Sequence, residues 1–197
     1  MILKPGDIVC VTDLSPDSFM DGWLGKLIVA VTKARSADGD AEFRHSLMIT
    51  SNQGDTFEAL WKFSRRNLFI DYTGYKMIIG RHKDMTPEGF EYAHKILSDK
   101  YEGKYYPFFR LLAQGTAVTA KWFPMVKPVC SELSRMAGLL AGCRDYPDEV
   151  LPTFKNDEER FKWVHKKAKG YTPDNQADEI RGADLWDVIS YEVLNVQ

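Results

Sequence analysis

Cys130 is the residue of this sequence best placed to act as a nucleophile. The segment 127–142 that contains it has one apolar face at helical spacing, formed by Leu133, Met136, Ala137 and Leu140. Pro124 and Pro128 keep the upstream chain from joining this helix. We therefore predict that Cys130 lies at a helix N-terminus, where orphan N–H groups and the helix dipole favour a reactive thiolate. The alternative is a buried cysteine that only happens to open a helix.

His45 is the candidate base. The segment 43–50 alternates as a strand, and Phe43, Leu47 and Ile49 share the predicted face of His45. This places the imidazole against a packed layer rather than in water. Either a backbone carbonyl satisfies a core histidine there, or the ring is directed at a partner such as the cysteine helix.

Glu58 is the candidate orienting group, because it lies in the next predicted strand, across a turn from His45. A carboxylate there can accept a hydrogen bond from the imidazole and fix its orientation and tautomer. The alternative is that Glu58 faces solvent with Thr56 and Lys62. The sequence does not fix the register of this hairpin, so both possibilities stay open.

Composition limits the classes of function. The chain has 197 residues, 44% of them hydrophobic, and a net charge of −2, which predicts one domain over residues 1–197 and disfavours nucleic acid as a partner. No stretch reaches the ~18 apolar residues of a membrane span, and the N-terminus lacks a signal-peptide pattern. Three cysteines without CxxC spacing argue against disulfides and a cysteine zinc site. We therefore expect a cytoplasmic location, no transmembrane segment and no metal.

The predicted elements alternate in a way that is typical of the α+β class. Apolar periodicity and capping residues predict helices over 21–40, 86–101, 127–142 and 156–170. Strands are predicted over 3–12, 43–50, 56–63, 67–72 and 75–80. The chain after residue 170 fits either helix or strand near its end. The sequence does not specify the oligomeric state.

The remaining cysteines and histidines have ordinary interpretations. Cys10, in a strand, and Cys143, at a helix end, are predicted to be packed and inert. His82, His94 and His165 lack partners at a useful spacing, so we expect them at the surface. The chain has no Gly-rich phosphate loop and no HExxH motif, so no cofactor is expected.

Six short motifs, in their order along the chain, resemble a known family. They are PGDIV (5–9), WLGKLIVAVTKA (23–34), RHSLMIT (44–50), TFEALW (56–61), GKYYPF (103–108) and VCSELS (129–134). Together they are similar to the circularly permuted NlpC-type, papain-like cysteine hydrolases, in the YiiX/YaeF-like branch. The order of histidine, glutamate and cysteine is the one that the permuted branch requires. The resemblance covers roughly residues 3–140.

The resemblance implies a papain-like α+β fold with a central antiparallel sheet packed against helices. It also implies Cys130 as nucleophile, His45 as general base and Glu58 as the third polar residue of a cysteine amidase or peptidase. The implied substrate is a small peptide or amide, such as a cell-wall-like or lipid-linked fragment. A thioesterase or acyltransferase acting on lipid acyl groups, and an inactive binding module, are the alternatives. Substrate choice would lie in the long insertions that separate the strands from Cys130 and in the poorly matched C-terminal sixty residues. The sequence does not specify whether 104–127 forms a lid.

Overall fold

The computed structural model describes residues 1–12, 30, 33, 42–59, 62–105, 128–182 and 184–193. Within these ranges the strands are β1 (Ile8–Val11), β2 (His45–Ile49), β3 (Asp55–Ala59), β4 (Phe63–Asn67), β5 (Lys76–His82) and β6 (Trp186–Val193). The helices are α1 (Leu68–Asp71), α2 (Pro87–Tyr101), α3 (Cys130–Ala141), α4 (Asp157–Ala168) and α5 (Pro173–Gly182). The predicted helix over 21–40 and the segment 104–127 lie almost entirely outside the described residues.

The strands form one sheet in the order β4-β3-β2-β1-β5-β6, and every neighbouring pair is antiparallel. Helices α2 to α5 pack together on one face of this sheet, which we call the helix face. This arrangement confirms the predicted α+β class with an antiparallel sheet packed against helices. No helix in the described part of the chain combines the length and the apolar character that crossing a membrane requires.

Strand β2 lies inside the sheet and is buried along its whole length. Met48 contacts the apolar cluster of the helix face, whereas Leu47 and Ile49 belong to a second cluster on the opposite face. Because side chains alternate along a strand, His45 shares the face of Leu47. Phe43 precedes the strand and packs in the cluster of the helix face, so its predicted place beside His45 was wrong.

Helix starts follow the predicted caps. The Thr86 side chain accepts the Gly89 N–H at the start of α2, and the Asn156 side chain accepts the Glu159 N–H at the start of α4. These contacts confirm the two helices predicted over 86–101 and 156–170. The ambiguous tail resolves into helix α5 followed by edge strand β6.

The strand predicted over 67–72 is wrong. Asn67 accepts the Phe69 N–H and caps the short helix α1, so the chain turns where a strand was expected. The preceding segment, 63–67, is instead strand β4, which pairs with β3 at the edge of the sheet. Its polar Arg65 and Arg66 interrupt any apolar run, so the sequence pattern does not indicate a strand there. An edge strand needs only one apolar side.

Candidate active site

Cys130 is the first residue of α3. The preceding Val129 has extended backbone angles, φ −87° and ψ 175°, so the helix begins at the cysteine as predicted. Glu132, one turn into the helix and fully buried, accepts the Val129 N–H at 2.9 Å. This carboxylate satisfies one of the orphan donors of the helix start and holds the chain as it enters α3.

His45 and Glu58 are hydrogen-bonded to each other. Glu58 pairs with Leu47 in the β2–β3 ladder, and therefore shares the face of His45. The distance between His45 Nε2 and Glu58 Oε2 is 2.5 Å. The register that the sequence left open is thus the one that joins the two side chains, and Glu58 does not face solvent.

Cys130 joins this pair from the helix. The Cys130 thiol interacts with the His45 imidazole and with the backbone N–H groups of Ser46 and Ser131, all of which favour its charged form. Since Glu58 occupies Nε2, Nδ1 is the ring nitrogen left for the sulfur. The structure therefore brings all three predicted residues into one line, with the imidazole in the middle.

Burial decides which member of the line a substrate can reach. The exposed fraction is 7% for Cys130, 1% for His45 and 0% for Glu58. Cys130 is therefore the least buried of the three residues. The two others are shielded by protein, which strengthens their mutual electrostatic interaction.

The charges of Cys130 and His45 support each other. Burial alone would raise the pKa of the Cys130 thiol, but the neighbouring imidazolium and three hydrogen bonds lower it below its ordinary value. Burial likewise disfavours a charged His45, yet the thiolate and the Glu58 carboxylate outweigh it and raise the pKa of His45 to about 9. Each of the two charged forms therefore favours the other, as in a thiolate–imidazolium pair.

A chain of buried hydroxyl groups links the strand to the cysteine helix. Ser46 donates to Ser134 at 2.9 Å, and Ser134 donates to the Cys130 carbonyl at 3.3 Å. The Cys10 thiol lies 4.0 Å from the Ser46 hydroxyl, at the sheet end of this chain. These contacts fix α3 against β2 next to the point where sulfur and imidazole meet.

The segment between α4 and α5 also touches the site, which the sequence interpretation missed. The Gly170 N–H donates to Glu132 at 2.7 Å, and Ser131 Oγ donates to the Tyr171 carbonyl at 2.7 Å. Asp174, at the start of α5, accepts the Phe43 N–H at 3.3 Å. The chain after residue 140 therefore braces both the cysteine helix and the approach to His45. A buried acid two residues after the cysteine was the one available signal in the sequence.

The other cysteines and histidines lie apart from this line. Cys10 and Cys143 are buried as predicted, and burial raises the pKa of both thiols. His82 is only 4% exposed, so its predicted surface position was wrong. Its ring packs edge-on against Trp186 because β6 covers this end of the sheet, a long-range contact that no local pattern indicates. His94 is half-buried rather than at the surface.

Comparison with known proteins supports the fold. No family model and no curated protein matches the chain. Among solved structures the chain is similar to the crystal structure of the metalloprotein yiiX from Escherichia coli O157:H7, DUF1105, with a TM-score of 0.56 and 17% sequence identity. The match covers 98% of this chain and 99% of that chain. The chain thus has a yiiX-like fold, and a likeness at this identity assigns no activity.

Proposed function

We propose that this protein is a cysteine hydrolase that cleaves an amide bond, as an amidase or peptidase of the circularly permuted, papain-like NlpC type. The observation that carries the proposal is the continuous line of Cys130, His45 and Glu58, with the cysteine at a helix start. A nucleophile, a base and a group that orients the base are the parts such chemistry needs. The yiiX-like fold is consistent with the resemblance on which the family assignment rests.

The first half-reaction forms an acyl-enzyme. The Cys130 thiolate attacks the carbonyl carbon, and the oxyanion is stabilised by backbone N–H groups at the start of α3, including that of Cys130. His45 gives its Nδ1 proton to the nitrogen of the leaving amine as the C–N bond breaks. Glu58 keeps the imidazole aligned through Nε2 while its charge changes.

The second half-reaction releases the acyl group from Cys130. Water attacks the thioester carbonyl, and neutral His45 accepts the proton of that water. The C–S bond then breaks, which releases a carboxylic acid and restores the thiolate–imidazolium pair. An amine or alcohol in place of water would make the same site an acyltransferase, and a thioester substrate would make it a thioesterase.

A metal-dependent reaction is not supported by the side chains of the site. The yiiX protein is described as a metalloprotein, but the described residues of this chain contain no group of three or more His, Cys, Asp or Glu side chains that could hold a metal ion. The Glu58 carboxylate, the one acid of the line, is already bonded to His45 Nε2. The donor set therefore does not fit a metal, and no step of the mechanism uses one.

Covalent trapping tests the proposal. We expect a peptidyl vinyl sulfone to add once to the wild-type protein, on Cys130, as measured by intact and peptide mass spectrometry. The His45→Ala variant should add the probe at least about tenfold more slowly because its thiol lacks the imidazolium. Cys143→Ala is the matched control and should be labelled like the wild type.

A panel of fluorogenic peptide amides and acyl thioesters separates the candidate activities. Turnover of amides supports the amidase. Acylation of Cys130 by thioesters alone would overturn the amidase proposal in favour of a thioesterase or acyltransferase. A Cys130 that neither vinyl sulfone nor thioester modifies would contradict catalysis and leave a binding module on this fold.

A further inference from the structure

Tyr72 is a buried polar residue that the proposed mechanism does not use. Its side chain is fully buried in the apolar cluster on the face of Leu47, and its hydroxyl donates to Glu58 Oε2. The same oxygen accepts from His45 Nε2 at 2.5 Å. The second oxygen, Oε1, accepts from Thr56 Oγ1 at 3.3 Å. Both carboxylate oxygens therefore have protein donors in a site closed to solvent.

The backbone holds Tyr72 rigidly. It follows α1 directly, and its N–H donates to the Leu68 carbonyl at 3.2 Å while its own carbonyl accepts the Tyr75 N–H at 3.2 Å. The rings of Tyr72 and His45 lie nearly parallel, with centroids 6.3 Å apart and an interplanar angle of 14°. A rigid donor at this place leaves Glu58 one orientation in which both of its partners are satisfied.

We propose that Tyr72 is a positioning residue, whose hydroxyl holds the Glu58 carboxylate aimed at His45. The inference rests on the proposed function, because it assigns a role in orienting the base of that same site. Because His45 and Tyr72 both bond to Oε2 while Thr56 bonds to Oε1, the carboxylate cannot turn without breaking a hydrogen bond.

Tyr72 remains a donor throughout the working range of pH. Burial and the adjacent Glu58 charge both raise the pKa of its hydroxyl far above neutrality. The other charged groups near it are Arg66 and Asp71, which lie 4.0 Å from each other and act on Tyr72 in opposite directions. Glu58 is therefore the carboxylate to which the Tyr72 hydroxyl donates its hydrogen bond.

The test is Tyr72→Phe, which keeps the ring in the apolar cluster and removes one oxygen atom. We expect kcat/KM to fall by about 5- to 20-fold, through kcat rather than KM. The downfield proton NMR resonance of His45 Nε2–H should broaden or shift, because Glu58 then has a single strong donor. Tyr92→Phe is the matched control, since Tyr92 donates to Asp157 at 2.6 Å far from the site; it should change none of these quantities.

A double variant separates positioning from packing. In the Glu58→Gln protein, adding Tyr72→Phe should change kcat/KM by less than about twofold, because Tyr72 acts through the ionised carboxylate. Equal losses of kcat/KM from Tyr72→Phe in the wild-type protein and in the Glu58→Gln protein would overturn the inference. So would an unchanged His45 resonance in the single variant. A wild-type protein that shows the His45 resonance but no turnover contradicts the proposed function instead.

Discussion

The two ends of helix α3 carry similar residues, but the pKa values of their two thiols are shifted in opposite directions. At its start lies Cys130 with a histidine and a carboxylate from the sheet. Just beyond its end lies Cys143, near His82 of β5 and near Asp84, whose charge raises the pKa of the Cys143 thiol further. Each end thus combines a buried cysteine, a buried histidine and an acid.

Helix direction and hydrogen-bond partners account for the difference. Burial raises the pKa of Cys143 to about 12, and nearby carboxylates add to the effect. At Cys130 the N–H groups of the helix start and the imidazolium reverse the effect of burial. The nitrogens of His82 are both committed to backbone, accepting the Asp84 N–H at 3.1 Å and bonding the Arg144 carbonyl at 2.9 Å. The comparison teaches that the residue types alone do not make a nucleophile.

The largest expected difference between the two ends is in turnover. Cys130→Ala should lower kcat by about 10³-fold or more, since the acyl-enzyme cannot form. Cys143→Ala should leave kcat within about twofold. Steady-state kinetics on whichever amide or thioester is turned over measures both. Comparable losses in both variants would show that the comparison is wrong.

Replacing the acid at each end of α3 by its amide gives the next largest difference in kcat/KM. Glu58→Gln should lower kcat/KM by about 10²- to 10⁴-fold, because a neutral amide neither fixes the tautomer of His45 nor stabilises its charged form. Asp84→Asn should leave kcat/KM nearly unchanged and cost at most about 1 kcal/mol of stability, since Asp84 pairs with a partly exposed Arg144. Kinetics and urea unfolding of the two variants check this, and a silent Glu58→Gln would contradict the role of Glu58.

The two histidines should differ in how pH affects stability. Burial lowers the pKa of His82 in the folded protein below its ordinary value of 6.5. The unfolded chain therefore binds a proton that the folded chain excludes, so this contribution to stability is present above pH 6.5 and is lost as pH falls.

Urea unfolding between pH 7.5 and 5.5 measures this loss. We expect His82→Gln to remove about 1 kcal/mol of the acid destabilisation of the wild type. A variant with the same slope as the wild type would contradict a neutral, buried His82. His45 is excluded as the source, because its pKa is raised.

The smallest expected effect concerns the hydroxyl chain that docks α3. Ser134→Ala removes the contacts to Ser46 and to the Cys130 carbonyl, and should cost about 1 kcal/mol of stability with a few-fold loss of kcat. Ser98→Ala is the matched control, since the buried Ser98 hydroxyl on α2 has no hydrogen-bond partner among the residues that the structure describes. Identical unfolding curves for both variants would contradict the role of Ser134 in docking α3 against β2.

Local signals made the helices predictable. The apolar spacing and the upstream prolines placed the start of α3 at Cys130, and Thr86 and Asn156 marked the starts of α2 and α4. Each of these signals lies within a few residues of the structure it determines. The cysteine end of the site was therefore accessible from sequence.

Long-range contacts made the rest unpredictable. The bond between His45 and Glu58 depends on the register of β2 and β3, which the hairpin sequence leaves open. The sequence pattern predicts a strand over 67–72, whereas Asn67 caps a helix that ends just before Tyr72. The contact between Tyr72 and Glu58 was therefore not predictable from the sequence. The hydrogen bond from the Gly170 N–H to Glu132 joins positions that are far apart in the sequence and adjacent in the fold.

The most direct test of the central claim is the rate of alkylation of each cysteine by iodoacetamide against pH, read by peptide mass spectrometry. The account predicts that Cys130 reacts well below the ~8.5 pKa of a free thiol, while Cys10 and Cys143 stay unreactive in the folded protein. His45→Ala should return Cys130 to an ordinary or higher pKa. A Cys130 that titrates like a free thiol, or whose reactivity does not depend on His45, would contradict the thiolate–imidazolium pair.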